Sequence, residues 1–318
     1  VTLQQLVYFL AVAETRHFTR AAERARVAQP SLSKQIHGLE SELGAPLFTR
    51  ARGNIALTPA GEALLPVAKR ILSDVDTARQ EVAELVGLRR GRIRLGATPS
   101  LCVGVLADAL RMFHDRYPGI ELVVEEGGSR DLTAALLGGD LDLALVIVPP
   151  QGVDPALTST PVLGEHLVVA SSPDLDLPES FPLAVLRDYP MVMFRRGYDL
   201  RETTLQACRA AGFEPRFAVE GGEMDAVLRF VEAGLGVALV PSLVLPGRRG
   251  LRATSLRAPG IRRKVALAHR TDVPPTAAAR AFRSVLFEHL DAWVAADAVP
   301  VGVELTPETP AVRAQSWT

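Results

Sequence analysis

Cysteine is nearly absent: Cys102 and Cys208 are the only two in 318 residues. Two thiols exclude a disulfide framework and a cysteine-based zinc centre. Aromatic residues are only 5% of the chain, so its core must be aliphatic. At 48% hydrophobic residues there is enough such material to fill one, which excludes wholesale disorder. No run of about 18 apolar residues occurs, so no transmembrane helix is expected. The opening Val-Thr-Leu-Gln-Gln has no basic stretch leading into an apolar one. No secretory signal is read there, and a cytoplasmic protein is expected. There is no Ser-His-Asp order, HExxH, P-loop or GxGxxG, which leaves no catalytic constellation. His17 and His37 lack partners at metal-ligand spacing, and no cofactor is implied.

Charge is what the chain has, unevenly placed. The net charge is −1. Residues 1–58 carry seven basic and four acidic side chains, a balance of +3, and residues 91–318 carry 23 and 27, a balance of −4. A basic head on an acidic body suggests that the head meets a polyanion. At about 100–200 residues per domain, the length suggests two or three domains.

The head, residues 1–58, reads as short helices. Leu3, Leu6, Leu10 and Ala13, widened by Phe9 and Val12, follow Thr2 as a possible N-cap. Thr19 can cap a helix from Arg20 to Arg26, with Ala21, Ala22 and Ala25 as a small buried face. After Val27-Ala28-Gln29, Pro30 fits the first turn of a further helix. Its apolar stripe is Leu32, Ile36, Leu39 and Leu43, and Lys34 lies almost opposite. Gly44 stops it. Such a pair is a helix-turn-helix, whose second helix enters the major groove N-terminus first. Arg50 to Asn54 turn into Ile55-Ala56-Leu57, a hairpin wing whose Arg50 and Arg52 can meet phosphate or a minor groove. For any one of these cations alone, a solvated surface is the simpler reading; the ordered set points to DNA.

The stretches Phe18-Thr19-Arg20-Ala21-Ala22-Glu23 and Ala28-Gln29-Pro30-Ser31-Leu32-Ser33 resemble the signature of LysR-type transcriptional regulators. The match continues through Ile36, Leu39-Glu40, Leu43-Gly44, Leu47-Phe48, Arg50, Leu57-Thr58 and Ala60-Gly61, and more weakly to about residue 296. The resemblance implies a dimer or dimer of dimers that binds double-stranded promoter DNA, answers to a small organic effector and is not an enzyme. It leaves RNA polymerase open as a further partner and implies no membrane. Thr19, Gln29, Pro30, Ser31, Ser33 and Lys34 fall on the helix pair that meets DNA, and Arg50 and Arg52 on the wing. Two residues depart from the pattern: Arg26, where the second helix usually has an apolar residue and whose stem can snorkel, and Gly38, at about 1 kcal/mol against alanine inside a helix.

Residues 59–89 read as a linker helix. Leu64, Ala68, Ile71, Val75, Ala78, Val82 and Leu85 repeat at alternating spacings of four and three, the pattern of a two-helix dimer seam. The alternative is a helix packed on its own domain. Pro66 should kink its start, and Gly87 to Gly91 read as a flexible exit.

The body, residues 90–297, alternates apolar runs with helical patterns. Strands are expected at 93–96, 120–124 and 143–148, with helices at 100–117 and 130–137 between them. A second series has strands at 167–170, 191–194, 217–219 and 237–240, with helices at 200–211 and 223–233. A strand at 265–268 and a helix at 277–295 close it. This order implies parallel sheets in two α/β units. The fold expected is thus two Rossmann-like subdomains in a periplasmic-binding-protein-like clamshell, with an all-α, winged helix-turn-helix head. Subdomain I would be 91–161 with 269–297, and subdomain II 162–268. Ligands of such sheets sit at strand carboxyl ends and helix N-termini. The loops Thr98-Pro99-Ser100 and Gly127-Gly128-Ser129-Arg130 offer hydroxyls and backbone N–H groups there, a seat for an anion. The resemblance marks this cleft as the inducer pocket and makes Thr98, Pro99, Ser100, Ser129, Ile147, Arg195, Tyr198 and Met224 its lining. Capping, core packing or a solvated charge is the plainer reading of each. Cys102 and Cys208 fall in different units and read as structural rather than redox-sensing. Residues 298–318, with three prolines, read as a disordered tail. Two rival functions use the same clamshell: a solute receptor for transport, which the attached head disfavours, and an enzyme, which lacks a catalytic set.

Overall fold

A computed structural model of the chain describes residues 1–51, 54–85 and 91–306. It divides into two compact units, Val1–Leu88 with Leu137–Asp140, and Arg89–Leu136 with Leu141–Thr318.

The first unit opens with α1 (Leu3–Thr15), which Thr2 and Gln5 start by capping each other's backbone N–H groups. Next come α2 (Phe18–Arg24) and α3 (Gln29–Leu43). The cap of α2 is His17, whose Nδ1 accepts the Thr19 N–H at 3.2 Å, so Thr19 is helical rather than the cap expected of it. Arg26 has φ +55°, in the left-handed region, so it turns the chain instead of ending the helix as expected. Leu6, Phe9 and Val12 of α1 pack on Ala21 and Ala22 of α2 and on Leu32, Ile36 and Leu39 of α3. The alanines let the helices approach closely. Leu3 and Leu43, expected on the apolar stripes, are exposed at the helix ends.

The wing is β1 (Phe48–Ala51) paired antiparallel with β2 (Asn54–Leu57). Phe48 anchors it, 5.4 Å from the Phe9 ring and 5.9 Å from the Phe18 ring. Glu40 of α3 accepts the Leu47 N–H at 2.8 Å, which holds the wing against α3. Then α4 (Pro59–Leu85) runs for 27 residues with Pro66 inside it. Ala68 is wholly buried in the core of the head, with Leu64, Leu65 and Leu72 packed around it.

The second unit begins with β3 (Gly91–Ala97), α5 (Pro99–Leu101), a π turn at Cys102–Leu106 and α6 (Ala107–Arg116). It continues through β4 (Ile120–Glu126), α7 (Ser129–Gly138), β5 (Leu143–Val148), β6 (Leu157–Ser171) and β7 (Ser180–Phe181). A 3-10 turn at Leu183–Asp188 precedes β8 (Met191–Met193), α8 (Asp199–Ala210), β9 (Phe217–Glu220), α9 (Met224–Glu232) and β10 (Ala238–Pro241). After a 3-10 turn at Ser242–Val244 come β11 (Arg252–Leu256), β12 (Arg262–Arg270), α10 (Ala277–Ala295) and β13 (Val303–Leu305).

In the first half, β3 pairs parallel with β4 and β5, while β12 pairs antiparallel with β5. In the second, β8 and β9 are parallel, and β10 and β11 flank the end of β6. Each half has its own aliphatic core. The halves are joined by β6 and β12, whose residues 157–166 and 262–270 pair with each other.

Only residues 167–170 of the 15-residue β6 were expected to be a strand, because Pro161 and Gly164 interrupt the apolar pattern. The register shifts between Val265 and Ala266, opposite that proline. A bulge there lets a strand carry a residue without a ladder N–H. Residues 303–305 also depart from the expected disordered tail: β13 pairs with β6, and Glu304 pairs with Arg262.

Candidate DNA interface and ligand cleft

On the head, α3 begins at Ala28 with no side chain capping its first N–H groups. Pro30 has no N–H and the Ser31 N–H bonds to the Ala28 carbonyl at 3.0 Å, so few backbone donors are left free at this end. Gln29, Pro30, Ser31 and Lys34 are exposed around that end, Ser33 is half-buried, and Thr19 is exposed on α2. A positive helix end with small polar side chains and one lysine can approach phosphate and base edges. The side chain of Arg50 and all of Arg52 lie outside the described residues.

On α4, the expected seam divides. Leu64 and Ala68 belong to the core of the head. Ile71 and Ala78 are exposed, as is Val82 at 62%, and Val75 is half-buried. Val67, not expected, is exposed as well. The outward apolar stripe is therefore Val67, Ile71, Val75, Ala78 and Val82, shifted by one position at its start. The side chain of Leu85 lies outside the described residues.

In the second unit, a narrow cavity of about 10 Å³ is lined by Thr98, Pro99, Ser100, Gly127, Gly128, Tyr198, Asp199, Leu200 and Arg263. One water needs about that much room, whereas ligand pockets usually enclose about 300 Å³ or more. Thr98 and Ser100 are buried, with their hydroxyls 3.3 Å apart. Arg263, a tenth exposed, donates from Nη2 to Ser100 Oγ at 2.7 Å and from Nε to Glu165 Oε1 at 2.7 Å. Glu165 is fully buried. Burial pushes its carboxyl pKa up, against Arg263 and the Leu243 N–H, which pull it down. Across the cleft, Tyr198 stacks on Phe194 at 4.9 Å. Burial also raises the Tyr198 pKa, so the phenol stays neutral.

The expected lining is thus partly regrouped. Thr98, Pro99, Ser100 and Tyr198 line the cavity. Ser129 stands beside it, its Oγ accepting the Ile147 N–H at 3.0 Å, and Ile147 packs against the core of the first half. Met224 is buried in the core of the second half. Arg195 is exposed and paired with Glu223 at 2.7 Å. It does not line the cavity, because that acid holds it outside.

Arg263 and Asp199 were missed. A signal for Arg263 was available: Arg262-Arg263-Lys264 enters a strand bound for the interior, and alternation must turn its middle cation inward. Among the described residues, no group of three or more His, Cys, Asp or Glu could hold a metal ion, and no helix is long and apolar enough to cross a membrane.

A winged helix-turn-helix head, a linker helix and an α/β ligand-binding body define a ligand-responsive DNA-binding protein. The profile "Bacterial regulatory helix-turn-helix protein, lysR family" matches residues 3–62, and "LysR substrate binding domain" matches residues 87–291. The chain belongs to the LysR family of transcriptional regulators, and it is a regulator rather than an enzyme. It is 36% identical to a "Probable hydrogen peroxide-inducible genes activator" of Streptomyces viridosporus, over 85% of this chain and 88% of that one. It is 34% identical to the "Transcriptional dual regulator GltC" of Bacillus subtilis, over 75% and 80%. Its structure is similar to that of a full-length cysteine-to-aspartate variant of OxyR from Pseudomonas aeruginosa, with a TM-score of 0.71, 26% identity and coverage of 98% and 99%.

Proposed function

We propose that this regulator reads promoter DNA with α3 and is controlled by a small organic effector held in the cleft between the two halves of its body. Gln29, Ser31, Ser33 and Lys34 would contact bases and phosphates, and Arg50 and Arg52 would follow the backbone from the wing. The outward stripe of α4 would pair two chains, setting two heads about one helical turn apart. The observation that carries the effector reading is Arg263, a nearly buried cation bonded to Ser100 at the cavity wall. A buried cation beside two hydroxyls can recognise a carboxylate or another polar oxygen.

Some relatives are named for induction by hydrogen peroxide. Thiol chemistry needs a thiolate. Burial pushes both Cys102 and Cys208 up to about 11, with Glu126 and Glu214 adding to it respectively. This favours a bound effector over an oxidised thiol. Mapping the genomic DNA that the purified protein protects would identify its promoters, and the neighbouring genes would nominate effectors. Isothermal titration of those compounds into the wild type and Arg263→Ala is the decisive measurement. Saturable binding that the substitution weakens at least tenfold is expected; equal affinity for both proteins would place the effector elsewhere.

A further inference from the structure

One contact across the cleft is made by a carboxylate of the chain itself. Asp199 is the first residue of α8 in the second half. Its Oδ2 accepts the backbone N–H of Ser129, the first residue of α7 in the first half, at 3.0 Å. Asp199, Gly128, Arg263 and Ser100 line the same cavity.

Three facts make this bond more than ordinary capping. It joins elements 70 residues apart on opposite sides of the cleft. The group on the helix is a carboxylate, the charge a helix N-terminus favours. The cavity beside it is too small for anything much beyond a water, so an organic ligand can enter only if this side opens.

We propose that Asp199 is a latch and a stand-in ligand: its carboxylate holds the cleft shut by occupying the place that the carboxylate of the effector takes. The inference rests on the cleft being the effector site, and it names the effector class as a small organic carboxylate. Such an effector displaces Asp199 from the Ser129 N–H, binds that N–H itself and presents its remaining atoms to Ser100 and Arg263. Its gain is differential, because the seat is filled by the protein in one state and by the ligand in the other. Uncharged or cationic compounds lack the group that competes for it.

The test is amide hydrogen exchange of the full-length protein, read at residues 129–131, in wild type, Asp199→Ala, Asp199→Asn and Glu202→Ala. Glu202→Ala removes another acid from the first turn of α8, so it controls for damage to that helix. Asp199→Ala should exchange about tenfold faster or more at Ser129, Asp199→Asn should fall between, and Glu202→Ala should match wild type. Sodium acetate should then slow exchange in Asp199→Ala, while acetamide and sodium chloride at matched strength should not. Unchanged exchange in Asp199→Ala, or acetate no better than chloride, would overturn the proposal, as would equal acceleration by Glu202→Ala. These readouts report on the latch alone. They can fail while effector titration succeeds, and the two readings are thereby separated.

Discussion

Arg263 and Glu165 face each other across paired strands β12 and β6, and the guanidinium reaches past its partner to Ser100 in the cleft. The ion pair therefore sits where the two halves of the body join and where a ligand would enter. Removing one member of a buried pair leaves the other charge without a partner, which costs about 3–5 kcal/mol. Arg263→Ala should lower the body's stability by that amount in urea unfolding. Arg263→Ala combined with Glu165→Gln should recover a large part of it, because no bare charge remains. Recovery of nothing would mean that Arg263 acts through packing and Ser100 rather than through its pairing.

Lys34 is exposed on α3, opposite the buried face of Leu32, Ile36 and Leu39. Lys34→Ala should weaken binding about equally on all DNA sequences and lower the slope of log affinity against log salt by about 1, the signature of one lost phosphate contact. Gel-shift titrations at several salt concentrations measure both. An unchanged slope would remove Lys34 from the phosphate-contacting set.

The head was legible because its signals are local. Caps, the alanine face and the stripe of α3 each span less than a few turns of helix, and Leu32, Ile36 and Leu39 are buried as their spacing requires. The α/β order of the body was legible for the same reason. What could not be read depends on pairing between distant residues. Pro161 hides β6 until its bulge partner at Val265 and Ala266 is known. Strand alternation could have turned Arg263 inward, but its buried partner Glu165 lies 98 residues away in the chain, and nothing local to Arg195 shows that Glu223 pairs with it at the surface. Asp199 resembles any acid in a first helical turn; its role is visible only once Ser129 is placed against it.

Gly61 stands in the first turn of α4, where an added Cβ would lie 2.2 Å from the Leu47 carbonyl oxygen and 2.9 Å from a Leu57 methyl. The obstacle is backbone at the root of the wing, which Thr58 also fixes by donating to the Pro46 carbonyl at 2.6 Å. Gly61→Ala should destabilise the head by about 1–3 kcal/mol, the usual cost of overpacking. Calorimetry should show the transition of the head shifting down while that of the body stays, and DNA binding should fall at the higher temperature. A shift of both transitions would mean that the two unfold together.

With both thiols raised to about 11, about one in ten thousand is ionised at pH 7. Alkylation by iodoacetamide and oxidation by hydrogen peroxide should both be slow at neutral pH and rise steeply toward pH 10. The sign for stability follows from the same shifts. The unfolded chain ionises its thiols from about pH 9, while the folded chain keeps them neutral, so stability falls as pH climbs through 9 to 11. Mass spectrometry after peroxide treatment at pH 7 checks the first point. Rapid oxidation of Cys208 would restore the thiol-sensing reading.

The outward stripe of α4 leaves Ile71 37% and Val82 62% exposed in the single chain. Burying what remains exposed of either against a second copy would be worth about 0.5–2 kcal/mol, and burying an aspartate there costs more, so on the proposed pairing Ile71→Asp or Val82→Asp should raise the dimer dissociation constant about tenfold to a hundredfold. Leu64→Asp should behave differently. Leu64 packs into the head, and its loss should unfold that unit rather than separate dimers. Sedimentation velocity distinguishes the outcomes, with a folded monomer expected for the first two substitutions and loss of the head's transition for the third. If Ile71→Asp and Val82→Asp sediment as the wild type does, the proposed pairing through α4 is wrong, and any spacing of two heads on DNA would have to be set by another contact.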